Sequence, residues 1–166
     1  IGYTDMPEYT AGLNTGFSWK NFDFSMQWTG AWNVDRMLDE FRRPLGDTNE
    51  KGLLLYQYDT TWRSSADTFT AKFPRTSSLH ASNNYAGSDL YLINASYLRL
   101  KSVEIGYNFN FPFMKKLKMD NCRLYVNGYN LITITGFKWG DPESRQSSRP
   151  NYPLTRVFNI GLKLGF

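Results

Sequence analysis

From Thr155 to Phe166 the chain reads TRVFNIGLKLGF, and from Phe158 onward every second residue is apolar. Phe158, Ile160, Leu162, Leu164 and Phe166 would share one face of an extended strand. Val157, Asn159, Gly161, Lys163 and Gly165 would share the other, small or polar except for the valine. A soluble sheet seldom ends on an aromatic residue inside an apolar stripe, because chain ends fray into solvent. The closing strand of a membrane β-barrel can, since it is paired on both sides and faces lipid.

Composition favours the same expectation. Aromatic residues make up 17% of the 166-residue chain, yet the mean hydropathy is −0.50. A barrel reconciles the two, because half of every strand is polar. No window approaches 18 consecutive apolar residues, which excludes a transmembrane helix. Ile1 opens no basic and apolar leader, so the expectation is a mature fragment or a protein whose front is missing. The net charge of +4 is mild and nowhere concentrated as in a nucleic-acid binder. The lysines at 115, 116 and 118 read as a solvated turn.

Along the chain, the pattern predicts strands at about 9–19, 22–32, 97–110, 121–132 and 155–166. In the first pair, Tyr9, Ala11, Leu13, Thr15, Phe17 and Trp19 alternate with small and polar residues. The pattern resumes after Lys20-Asn21 with Phe22, Phe24, Met26, Trp28, Gly30 and Trp32. A two-residue turn makes Trp19 and Phe22 a facing pair, so register and apolar face agree. Val34, Met37, Leu38 and Phe41, behind Asn33 and before Pro44, suggest a short amphipathic helix. The rest of 33–96 reads as a long loop, and 133–154 as a second. In the third strand Val103, Ile105, Tyr107 and Phe109 are apolar, and Arg99 and Lys101 fall on the same parity. That end of the strand is therefore expected beyond the hydrocarbon, where a charge at mid-bilayer would cost about 2–4 kcal/mol.

The connections run short, long, short, long, as an outer-membrane barrel requires, with short turns inside and long loops outside. Five strands do not close a barrel, and an open sheet in lipid would leave unsatisfied edges. The expected fold is therefore all-β: the last five antiparallel strands of a large transmembrane up-and-down β-barrel with two long extracellular loops. The C-terminus would be periplasmic.

The stretch from Ala95 to Val103 (ASYLRLKSV), running into Ile105-Gly106-Tyr107, resembles a motif near the end of SusC/RagA-type TonB-dependent transporters of Bacteroidetes outer membranes. The resemblance extends to Asn127-Gly128-Tyr129-Asn130-Leu131, Asp141-Pro142-Glu143 and Tyr152-Pro153-Leu154-Thr155-Arg156. Trp62 followed by Ala71-Lys72-Phe73-Pro74-Arg75 also matches, in the family's order and spacing. This resemblance implies a barrel of about 22 strands. It also implies a plug and a TonB-contacting segment upstream, and a SusD-like surface lipoprotein as lid. Import of oligosaccharides or oligopeptides would be driven through TonB and ExbB/ExbD. The alternatives are a SusC-homologous scaffold subunit of a multi-protein outer-membrane complex, and a soluble β-sandwich carbohydrate-binding module.

No catalytic constellation is present, so no enzyme, cofactor or metal is expected. Cys122 has no second cysteine to pair with, and His80 stands alone; both read as structural. Two groups of residues are expected to carry function on the sheet. Phe158, Ile160, Leu162, Leu164 and Phe166 resemble the signal read by the barrel-assembly machinery, a strand with one greasy face suited to strand addition. Leu13, Phe17, Trp19, Phe22, Phe24, Met26, Trp28, Val103, Ile105, Tyr107, Phe109, Leu124 and Val126 are expected to face outer-membrane lipid. In the loops, Tyr56, Tyr58, Trp62 and Trp139 are candidates for stacking on a ligand or anchoring a partner.

Overall fold

A computed structural model describes residues 2–38, 55–76, 84, 86–110, 112, 118–144 and 154–166. Phe41, Pro44, His80 and the Tyr152-Pro153 step lie outside the described residues. Five strands form one antiparallel sheet in the order β1 (Tyr9–Trp19), β2 (Phe22–Trp32), β5 (Tyr97–Phe109), β6 (Asn121–Thr135) and β7 (Val157–Gly165). Strands β3 (Asp35–Met37) and β4 (Leu92–Asn94) pair into a separate ribbon. Helix α1 (Leu55–Thr60) and two single 3-10 turns, Ser65–Asp67 and Asp89–Tyr91, lie in the described part of the first long connection.

Alternation builds the sheet. Trp19 pairs directly with Phe22 across a turn in which Lys20 takes a positive φ of 53°. From there the apolar positions stay in register across the sheet: Phe17 opposite Phe24, Phe24 opposite Ile105, Ile105 opposite Val126, Val126 opposite Ile160. At one end Phe22, Tyr107 and Phe109 form a row of edge-to-face rings with centroids 4.7 and 4.8 Å apart.

The sheet is open, with β1 and β7 as its edges among the described residues. This corrects the expectation of a closed, about 22-stranded transmembrane barrel, because the described strands form an open five-stranded sheet and a two-stranded ribbon, which enclose no lumen. Nutrient import through such a lumen loses its structural basis in this chain. So do the assignments that depended on closure: transmembrane strands, an outer-membrane location, a periplasmic C-terminus and extracellular loops. No helix among the described residues is long and apolar enough to cross a membrane.

The amphipathic helix expected from Val34 is corrected too. Asp35–Met37 is strand, paired with Leu92–Asn94. Val34 and Leu38 are four residues apart, a spacing that fits one helical face and one strand face alike. The ladder decides for the strand. Asp35 accepts hydrogen bonds from the Tyr3 amide at 2.7 Å and from Asn94 Nδ2 at 3.3 Å, and Leu38 N–H donates to Tyr91 O at 2.8 Å.

Arg99 and Lys101 also depart from the parity read in the sequence. Ser102 pairs with Gln27 while Leu100 pairs with Trp28, so Lys101 is the extra residue of a β-bulge. One inserted residue turns everything upstream to the opposite face. Leu98 and Leu100 thereby join the apolar face, beside Gly30 and Trp28. Arg99 swings to the polar face and is 2% exposed. Strand β6 answers with its own irregularity, Asn130 at φ 53°.

The core of the molecule sits beyond the end of the sheet. Val34, Leu38, Phe73, Tyr91, Ala95 and Phe137 form a buried cluster, with Met37, Tyr56, Ile93 and Trp139 packed against it. Residues of the first long connection supply most of it, and the segment after β6 adds Phe137 and Trp139. The two loops therefore fold as one body. Each large side chain so buried contributes about 1.5–3 kcal/mol.

Candidate functional site

Among the described residues the sheet presents two contrasting faces, and the two loops form a pocket between them. On the apolar face, Leu13, Phe17 and Trp19 stand beside Phe22, Phe24, Met26 and Trp28, then Val103, Ile105, Tyr107 and Phe109, then Leu124 and Val126. Phe158, Ile160, Leu162 and Leu164 continue it on β7, opposite Gly128, Val126, Leu124 and Cys122. Phe166 follows the strand end. Phe17, Phe158 and Ile160 are 63%, 71% and 77% exposed. A contiguous apolar surface on this scale marks an interaction face rather than scattered surface residues.

The polar face carries a ladder that the strand pattern does not announce. Arg123 on β6 bonds Asp23 on β2 through both Nε (3.0 Å) and Nη2, and Nη2 also reaches Glu104 on β5 at 2.8 Å. Asn108 Nδ2 adds a bond to Asp23 at 3.2 Å. Glu104 accepts from Asn127 Nδ2 at 3.2 Å, and Asn127 accepts from Asn159 Nδ2 at 2.9 Å. The chain of bonds thus ties four strands together. It is possible because Gly106 has no side chain: a Cβ there would collide with the guanidinium of Arg123. Gly161 does the same for the Tyr125 ring. Glycines facing long polar residues on a neighbouring strand were the available signal.

At the bulge, Arg99 forms a second cluster. Its Nη1 bonds Glu143 at 2.6 Å, its Nη2 bonds Asp141 at 2.7 Å, and its Nε bonds Thr133 Oγ1 at 3.0 Å. Lys101 Nζ reaches Glu143 at 2.8 Å. Asp141 also accepts from the backbone amides of Glu143 (2.9 Å) and Leu154 (3.3 Å). Burial would raise the Asp141 pKa, but the Arg99 hydrogen bond, the two amides and the Arg99 charge hold it below the ordinary carboxylate value. Pro142, between the two acids, is buried, with its carbonyl 3.5 Å from Arg36 Nη2. This cluster fastens the segment after β6 to the sheet.

Of the four loop aromatics singled out in the sequence, the structure brings two together. Tyr56 and Trp139 meet edge to face at 4.5 Å, and Tyr56 also touches Phe73 with centroids 6.1 Å apart. They line a pocket of about 630 Å³ with Lys72, Leu90, Leu92, Ile93, Gly136 and Lys138. Tyr58 points away, stacked under the Arg63 guanidinium at 4.5 Å. Trp62 is 37% exposed and holds Phe73 O through its backbone amide. Neither lines the pocket. Among the described residues no cluster of three or more metal-ligating side chains occurs.

No protein-family model matches the chain. Among curated proteins it is 29% identical to "TonB-dependent receptor P3" of Formosa agariphila, over 96% of this chain and 16% of the relative. It is 28% identical to "TonB-dependent receptor SusC" of Bacteroides thetaiotaomicron, over 93% of this chain and 15% of the relative. The chain therefore spans about a sixth of the length of these relatives. Among solved structures, it resembles part of the RagAB peptide transporter with a TM-score of 0.74 at 21% identity, over 100% of this chain and 18% of that one. For the RagAB peptide importer in its open-open state the TM-score is 0.75 at 22% identity, again over 100% of this chain and 18% of that one. These likenesses concern the fold.

Proposed function

We propose that this chain, homologous to the non-catalytic TonB-dependent receptors of the SusC/RagA family, is a scaffold element of a multi-protein assembly of that kind. One observation carries the reading. Apolar side chains stand in register on all five strands of the sheet, and many of them, from Leu13 and Phe17 to Phe158 and Ile160, are exposed among the described residues. A sheet built this way organises other surfaces around itself rather than conducting a solute.

In this reading the chain corresponds to a C-terminal segment of a longer receptor. Any plug, and any contact with TonB, ExbB or ExbD, belongs to the remainder. The residues from Leu13 to Val126 named on the apolar face are the ones an apolar cover must meet. Phe158, Ile160, Leu162, Leu164 and Phe166 act as the strand-addition signal for an assembly factor. A SusD-like surface lipoprotein is the proposed partner of the loop body, where Tyr58, Trp62 and Phe69 are exposed.

The test is sedimentation of the purified chain in plain buffer, alone and co-expressed with the remaining segment of a SusC/RagA-type receptor. The scaffold reading expects self-association alone and a defined complex on co-expression. A monodisperse monomer with no affinity for the remainder overturns it. A second reading, a binding module in its own right, is favoured by the internally packed loop body and its pocket.

A further inference from the structure

We propose that the pocket between Tyr56 and Trp139 binds an amphiphilic anion, an apolar body ending in a carboxylate. Its size of about 630 Å³ suits a small molecule. Its walls combine the faces and edges of Tyr56, Phe73 and Trp139 with the aliphatic side chains of Leu90, Leu92 and Ile93. The aliphatic part of this lining suits an alkyl or aryl group. Among the described residues, the charged side chains lining it are Lys72 and Lys138.

The two lysines set the sign of the ligand. Both are exposed, and neither is within ion-pair distance of a carboxylate among the described residues. Lys72 Nζ stands 5.8 Å from the Tyr56 ring centroid, a cation held over an aromatic wall. Backbone bonds fix its position: Lys72 N–H donates to Thr60 O at 2.7 Å, and Trp62 N–H donates to Phe73 O at 2.9 Å. The second lysine comes from the other loop, beside Phe137 of the buried cluster. Two ammonium groups at an apolar pocket recognise a carboxylate through charge-assisted hydrogen bonds while the body of the ligand desolvates the rings.

Gly136 supplies the control. Gly136 lines the pocket and a Cβ placed on it meets nothing within 4 Å, so there is room for a larger side chain at the pocket wall. The experiment is calorimetric titration of the full chain with 3-phenylpropionate, with its uncharged amide and with maltose. The expected result is saturable binding of the acid, about tenfold tighter than the amide. Lys72→Gln and Lys138→Gln should each weaken the acid and leave the amide unchanged, and Gly136→Leu should abolish both. Circular dichroism confirms that each variant is folded. Equal binding of acid and amide, insensitivity to the lysine substitutions, preference for maltose, or no binding at all would each overturn the proposal.

Discussion

Arg123 reaches Asp23 across an entire strand, and the residue it passes over is Gly106. The guanidinium lies along the polar face of β5 and bonds Glu104 on the way. Sheet geometry, side-chain length and one missing Cβ are therefore a single device. Gly106→Val should lift Arg123 off its partners and destabilise the chain by about 1–3 kcal/mol. The same substitution in an Arg123→Ala background should cost much less, because the collision is gone. Urea unfolding of the four proteins measures the coupling. Strictly additive penalties would mean that the two residues do not share this contact.

The buried Arg99 side chain is compensated by two carboxylates, of which Asp141 is only 6% exposed. Removing the cation leaves an acid without its countercharge in a buried site. Arg99→Met should therefore cost about 3–5 kcal/mol. Adding Asp141→Asn should recover part of that loss. Chemical denaturation checks both.

Acid should release the same fastening. Asp141 has its pKa lowered in the folded chain, so its contribution is fully present above the unfolded carboxylate value of 3.8 and is lost as pH falls through the lower folded value. Unfolding midpoints measured from pH 7 down to pH 2.5 should fall below about pH 4. Asp141→Asn should be less stable than the parent at pH 7 and should show a shallower acid limb. Parallel curves for the two proteins would remove Asp141 from the explanation.

Deleting Lys101 tests the bulge. Without the extra residue, Ser102 and Leu100 become successive residues opposite Gln27 and Trp28, so alternation is regular and Leu98 and Leu100 keep the apolar face while Arg99 keeps the polar one. The expected outcome is retained cooperative unfolding, read by calorimetry; its loss would mean that Lys101 does more than offset the register of the strand. Lys101→Ala keeps the bulge and removes only a half-exposed ion pair with Glu143, and should cost under about 1 kcal/mol.

Neighbouring residues on β7 separate the two faces. Ile160 is 77% exposed and Asn159 donates to Asn127 on the polar side. Ile160→Arg should change the chain's own unfolding free energy by no more than about 0.5 kcal/mol. It should nevertheless reduce self-association and complex formation in sedimentation. Asn159→Ala should leave association intact and cost about 0.5–1.5 kcal/mol through the lost bond.

How much of this was legible in the linear sequence varies with the range of the interaction involved. The facing of Trp19 and Phe22 follows from alternation and a two-residue turn, both local. The apolar stripe from Phe158 to Phe166 is equally visible, since period two needs no partner to be recognised. Val34 and Leu38 were ambiguous because a spacing of four satisfies helix and strand together. Their ladder with β4, distant in sequence, resolved it. Tyr56, Tyr58, Trp62 and Trp139 were alike as loop aromatics, and only folding two loops into one body placed Tyr56 against Trp139 and left the others outside.

Alternation by itself determined that this chain is a β protein with one greasy face, because side-chain direction in a strand is a local property of the backbone. Closure, parity past the bulge, the route of Arg123 over Gly106 and the company of Arg99 were decided by tertiary structure alone. Each depends on which strand lies beside which, and on a single inserted residue whose effect is felt only through its neighbour's hydrogen bonds.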